Sequence, residues 1–302
     1  MIFVELLLFF LMDIIEGVLF ALFWASATVA TKFAIRSVDP FLLTFLRFSL
    51  VSLLLLIHVY VIKRKDNRLP QAKELKHLLV LGVCNVTLYM TGYLIAIKTI
   101  SAGLISLATA SNPLILILLS AVFLDKKPTI KQWIGIAVSV AGLVLASIPN
   151  LRHSHLTIKG LVALIAGILA LSSGSVYYSK VRLALPKMVV NTWQITIGGL
   201  LFAPILWLNR KNNFIKPDLN FSLSFIWLVV PVSIIAYSLW LTLVHKDPVK
   251  AGGWLFLTPV LGYLMAIVIL HEPITIYGVS GALMVVLGLM YSRRPANQLP
   301  RS

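Results

Sequence analysis

Ten charge-free or nearly charge-free stretches of about 20 residues follow one another along this chain, and no other feature restricts its possible folds as far. They fall at roughly 13–35, 41–62, 77–97, 101–124, 131–149, 157–179, 188–208, 222–244, 249–270 and 274–292. A helix of about 20 apolar residues matches the hydrocarbon core of a bilayer, and a spanning segment must satisfy its own backbone hydrogen bonds. Strands of an outer-membrane barrel alternate over about ten residues and would not give unbroken runs of this length. The expected class is therefore all-α membrane. Breakers stand between the runs at Asp39-Pro40, Lys127-Pro128, Pro149-Asn150, Pro186, Pro217, Asp247-Pro248 and Glu272-Pro273. In 302 residues, ten spans leave short connectors and no room for a separate soluble domain.

The net charge of +16 raises the question of nucleic acid, but the basic residues lie in small clusters between apolar runs rather than on one face. A lipid bilayer is the expected partner, and nucleic acid is not. If both termini are cytoplasmic, the inner connectors hold Lys63, Arg64, Lys65, Arg68, Lys73 and Lys76, then Lys126, Lys127 and Lys131, then Lys180, Arg182 and Lys187, then Lys246 and Lys250. That arrangement follows the bias of Lys and Arg toward the inside, although Arg210, Lys211 and Lys216 fall outside. The expected location is the inner membrane of a bacterial cell. Residues 1–11 lack the basic start and small-residue cleavage site of a signal peptide, so they and residues 293–302 read as terminal extensions. The single cysteine, Cys84, excludes an intramolecular disulfide.

The chain also repeats itself. Aligning residue n with n plus 146 from about Thr99 needs no gap and matches Pro113 with Pro259, Gly135 with Gly281, and Gly142 with Gly288. Residues 12–150 and 157–292 are thus expected to be two copies of a five-helix unit. Five is odd, so copies joined in series insert with opposite topology, and inverted repeats around a midplane site are a transporter architecture.

Certain residues resemble the EamA-type proteins of the drug/metabolite transporter superfamily. They are Gly17, Trp24 and Lys32 in the first span, Phe45-Leu46-Arg47-Phe48 in the second, and Ala96-Ile97-Lys98 leading to Ser101-Ala102-Gly103. Asn112-Pro113 followed by Leu124-Asp125-Lys126, and Thr258-Pro259 followed by Leu270-His271-Glu272, look like two copies of that family's proline-then-acid pattern. The first copy departs from it, with Lys126 where the pattern favours glutamate. The resemblance covers the chain after Met12 and implies a ten-span carrier of amino acids, metabolites or drugs.

Pro113 and Pro259 are expected to kink their spans and free backbone carbonyls, which must then face protein or a wet cavity. Beside them, Asn112 and Thr258 can bond a freed carbonyl or a solute. Trp24, Tyr89, Trp193, Tyr237 and Trp254 lie well inside the proposed boundaries and are the preferred aromatic lining; interface anchoring is the competing reading for such residues. Arg47, about two turns into its span, is expected either to attract an anionic group or to bond helix carbonyls. Lys32, about a turn from an outer end, can reach the interface or a cavity. Gly160, Gly167 and Gly174, spaced by seven, with the pairs Gly135/Gly142 and Gly281/Gly288, are assigned to close helix packing.

No carboxylate stands plainly at mid-membrane, and there is no HExxH, P-loop or GxSxG pattern, so neither catalysis, a metal nor a cofactor is expected. The expected function is a secondary transporter of a small organic solute, an amino acid or related metabolite, with export the leading direction and alternating access the mechanism. Drug efflux, nucleotide or metabolite uptake, and a lipid-modifying enzyme are the alternatives. The expected state is a monomer or weak homodimer.

Overall fold

The apolar runs form helices whose starts are set by polar caps in the connectors. The computed structural model describes residues 2–110, 112–123, 128–152, 157–181, 183–210, 213–246, 254 and 257–292. Helix α1 (Ile2–Ala34) is continuous through residues 2–11. Asp39 then starts α2 (Pro40–Ile57): its carboxylate accepts from the amides of Phe41 at 2.9 Å and Leu42 at 3.2 Å, and Pro40 occupies the first turn, where no amide is needed. The helix ends in a widened π turn, His58–Ile62. Helix α3 (Ala72–Gly82) begins with a reciprocal cap between Gln71 and Glu74, passes through a π segment, Val83–Leu88, and continues as α4 (Tyr89–Ile97).

Next come α5 (Ala102–Ala110), α6 (Asn112–Phe123), α7 (Ile130–Arg152), α8 (Ile158–Val181), α9 (Lys187–Leu200) and α10 (Phe202–Leu208). Helix α11 (Leu219–Trp227) runs through a second π segment, Leu228–Ala236, into α12 (Tyr237–Lys246). The last helices are α13 (Leu257–Leu270) and α14 (Ile276–Ser292). Among the described residues, six stretches are long and apolar enough to cross a bilayer: Ile14–Ala34, Pro40–Ile62, Ala72–Ile97, Ile158–Val181, Lys187–Leu208 and Leu219–Trp240. Ile130–Ala146, Leu257–Leu270 and Ile276–Tyr291 are shorter apolar helices. The expected fourth span holds α5 and α6, with residue 111 between them outside the described residues; most of the first turns of the expected ninth, residues 249–253, 255 and 256, also lie outside them.

Element starts recur at a nearly fixed interval: Pro40 and Lys187 are 147 residues apart, as are Ala72 and Leu219, while Ile130 and Ile276 are 146 apart. Two of the three π segments, Val83–Leu88 and Leu228–Ala236, overlap in nearly the same register. Helix α7 packs along α14, α4 on α8, α5 on α13, and α2 on α9. These crossings are close because glycines stand at them. A methyl group on Gly142 would lie 2.7 Å from the Gly281 carbonyl oxygen, and one on Gly167 would lie 2.9 Å from that of Tyr89. The outer faces are apolar, as lipid contact requires: Leu208 is 81% and Val268 68% exposed.

Candidate functional site

The turn between α4 and α5 is held at both ends by opposite charges. On α1, the Lys32 ammonium donates to the carbonyl oxygens of Ile97 at 2.6 Å and Ile100 at 2.7 Å, which α4 leaves unpaired at its C-terminal end. From the link between α13 and α14, the Glu272 carboxylate accepts from the amides of Ala102 at 2.6 Å and Gly103 at 3.1 Å, the first turn of α5. A cation on carbonyls and an anion on amides are the favourable pairing with the two helix dipoles. Glu272 reaches this place because the preceding His271 has φ of 55°, a left-handed conformation that reverses the chain at the end of α13. Lys98, on the same turn, pairs with the buried carboxylate of Asp39 at 3.4 Å and lies over the Phe41 ring.

Around this turn is a cavity of about 710 Å³. Lys32, Lys98, Ser101, Tyr263 and Glu272 contribute polar groups, and Leu104, Leu107, Ala146 and Pro149 contribute apolar wall. Its lining comes from α1, the α4–α5 turn, α5, α7 and the region from α13 to α14, so residues early and late in the chain share it. That size and mixed lining are those of a small-molecule site.

None of the eight residues expected to contact a solute lines this cavity. They lie elsewhere in the bundle. Arg47 donates through Nε at 3.0 Å and Nη2 at 2.9 Å to Ser233 Oγ in the second π segment, and Ser233 donates to the Leu228 carbonyl oxygen at 2.8 Å. Tyr89 and Tyr93 are close enough to Arg47 to interact electrostatically, and the Tyr93 hydroxyl is hydrogen-bonded with Thr28 and Thr31 of α1. Trp24, 45% exposed, contacts Phe20, which stacks on Trp240; Trp254 packs on the same cluster, against Gly17. Tyr237 follows the second π segment and lies near Tyr178. Trp193 donates from Nε1 to the Tyr60 hydroxyl at 2.8 Å, in a cluster formed by α3, α9 and the end of α2.

Asn112 Oδ1 accepts from the Ser172 hydroxyl of α8 at 2.5 Å, a bond between helices. Thr258 is half-buried and has a partner. Pro113 lies in α6 and Pro259 in α13; residue 111 and residues 255 and 256, in the turn ahead of each proline, lie outside the described residues. Sequence reasoning missed Glu272 as a lining residue because it counted that acid as the end of a helix. It raised Lys32 as a cavity candidate, and the two carbonyl bonds explain how its charge is accommodated.

A family model described as the EamA-like transporter family matches the chain twice, at residues 11–148 and 158–294. The chain is 25% identical over 268 residues to a protein of Archaeoglobus fulgidus described as a transporter, covering 88% of this chain and 93% of the relative. It is 30% identical over 231 residues to Protein PecM of Dickeya dadantii, covering 74% of each. YedA of Escherichia coli, described as an inner membrane transporter, is 25% identical over 258 residues, covering 82% of this chain and 80% of YedA. A crystal structure aligns with a TM-score of 0.66 at 21% identity, over 93% of this chain and 96% of its own, a likeness of fold alone.

Proposed function

Since the chain belongs to the EamA-like transporter family and is a multi-pass membrane protein, we propose that it is a secondary carrier for a small organic solute, working by alternating access. The observation that carries this reading is the cavity of about 710 Å³, walled by helices of both matched segments at one end of the bundle. Support for two inverted five-helix repeats comes from the paired matches, from helix starts recurring at 146 or 147 residues, and from π segments whose starts, Val83 and Leu228, are 145 residues apart. On that reading α5 and α6 together make the fourth span, and the ten spans put both termini in the cytoplasm. The cavity then opens at the outer face, the release side for an exporter. Trp24, Trp254 and Tyr237 belong to the inner half of the path, and Arg47 and Tyr89 to its middle.

Reconstitution into vesicles tests the carrier. Saturable flux with counterflow of labelled solute is expected, whereas chemical turnover of a lipid without flux would overturn it. Reporter fusions at Asn67 and Ser302 should read inside and one at Asn213 outside; a fusion at Ser302 reading outside would sink the inverted arrangement.

A further inference from the structure

The first turn of α5 presents amides that its own sequence meets only in part. Ser101, just ahead of the helix, accepts through Oγ from the Leu104 amide at 3.3 Å. The amides of Ala102 and Gly103 are met instead by Glu272, 170 and 169 residues away and in the other matched segment. A missing side chain admits it: a methyl group on Gly103 would lie 3.0 Å from Glu272 Oε2 and 2.8 Å from Tyr263 Cδ2. A turn further along, a methyl group on Gly262 of α13 would lie 2.7 Å from Ser106 Oγ of α5. The seam between α5 and α13 is thus shut from Glu272 to Ser106. Glycines bring the two helices together, and the carboxylate bonds one of them to the link that follows the other. Lys32 acts differently, because α1 and the α4–α5 turn belong to the same matched segment.

The repeat register makes this acid particular to one end of the bundle. Thr275 starts α14 by accepting from the Gly278 amide at 3.0 Å, and 146 residues earlier Thr129 accepts in the same way from the Gln132 amide at 3.4 Å ahead of α7. In that register Glu272 answers to Lys126, an ammonium with donors and no acceptor. We propose that Glu272 is a latch: seated on the α5 amides, it holds the two matched segments together at the cavity end, and it leaves those amides when that end opens. This role rests on the carrier reading and adds the residue that controls access at the outer face. Its task is to position α5, whatever solute the cavity takes.

The test uses the full-length protein in lipid nanodiscs, with Cys84→Ala as background and spin-label distances read across each end of the bundle. Arg36→Cys with Ile274→Cys reports the cavity end, and Lys65→Cys with Lys180→Cys the opposite end; all four positions are exposed, and each pair joins the two matched segments. Glu272→Gln turns charged hydrogen bonds into neutral ones, so the ratio of long to short distances at the cavity end should rise about fivefold, with no widening at the other end. Gly103→Ala should do the same, because its methyl group displaces the carboxylate without removing its charge. Glu272→Asp, which keeps the charge, should stay closer to the parent than Glu272→Gln. If Glu272→Gln fails to fold, Gly103→Ala decides. A ratio within about twofold of the parent in the variants that fold, or equal widening at both ends as a general loosening would give, would overturn the latch. Saturable vesicle flux with unchanged distances would remove the latch and leave the carrier, while widening at the cavity end without saturable flux of any solute would keep the latch and remove the carrier.

Discussion

Arg47 and Ser233 form a pair in which removing the smaller member should do more harm than removing the larger. Two guanidinium donors converge on the Ser233 hydroxyl, which passes its own proton to the Leu228 carbonyl oxygen. Ser233→Ala takes away that acceptor and leaves a charge inside the bundle with only the Phe48 ring, 5.5 Å away, and the neighbouring Tyr89 and Tyr93 to offset it. Such a charged hydrogen bond is worth about 1.5–3 kcal/mol, and stranding the charge costs the upper part of that range, so about 2–3 kcal/mol of stability should be lost. Arg47→Met instead removes the charge and replaces it with an apolar chain of similar reach, while Ser233 keeps its bond to Leu228. That change should stay within about 1 kcal/mol of the parent, because apolar replacement of a buried charge is often neutral. The double variant should resemble Arg47→Met, giving a coupling energy of about 2 kcal/mol. Equilibrium unfolding in mixed micelles with graded SDS measures all three. Equal losses for the two single variants, or simple additivity in the double, would refute the reasoning.

Gly142→Val should lower stability by about 1–3 kcal/mol in the same assay, because its side chain would enter the Gly281 backbone of α14, whereas Val144→Ala, 63% exposed on the same helix, should cost much less. His271→Gly should leave folding and abundance intact or improved, and His271→Val should reduce thermal stability, since only the second strains a residue at φ of 55°. Hydrogen bonds from the Ser37 hydroxyl and the Phe221 amide hold the Asp218 carboxyl below the usual carboxylate range. Its folded value is depressed, so its contribution is present above the ordinary carboxyl range, near pH 4, and is lost as pH falls through the folded value. The stability gap between the parent and Asp218→Asn, measured by thermal unfolding, should therefore be present at pH 7 and close below that range.

Period and composition made the helices legible, and spacing made their tightest crossings so: Gly142 and Gly281 do meet across α7 and α14, and Gly174, Gly167 and Gly160 face the π segment Val83–Leu88, α4 and the turn after α4 in that order. Both signals are local, since a helix side repeats every three to four residues. The cavity was the least legible feature. Lys32 meets Ile97 from 65 residues away and Glu272 meets Ala102 from 170, and no window of the sequence brings these groups together. A helix-end acid is also ordinarily a solvated one, so nothing in its neighbours marked Glu272 for a cavity wall.

The two π segments give the repeat a physical meaning that pairwise residue matches do not. Arg47 of α2 holds the segment Leu228–Ala236 through Ser233, and Asn85 of the segment Val83–Leu88 donates to Gln194 of α9 at 3.0 Å. Arg47 and Gln194 are 147 residues apart, and Asn85 and Ser233 are 148 apart, so the same contact is made twice, each time across the two matched segments. A π turn is a place where a helix already departs from its regular hydrogen bonding, often at a functional site. A side chain from the other segment fixes each departure. The two clasps are unequal, however. One is charge-assisted with two donors, and the other joins neutral amides and leaves Asn85 Oδ1 buried without a partner. Charged hydrogen bonds contribute about 1.5–3 kcal/mol and neutral ones about 0.5–1.5 kcal/mol, so a difference of about 1 kcal/mol separates them. Here the amide clasp is the easier to open, because a glutamine stands at the repeat position that an arginine holds in the other clasp.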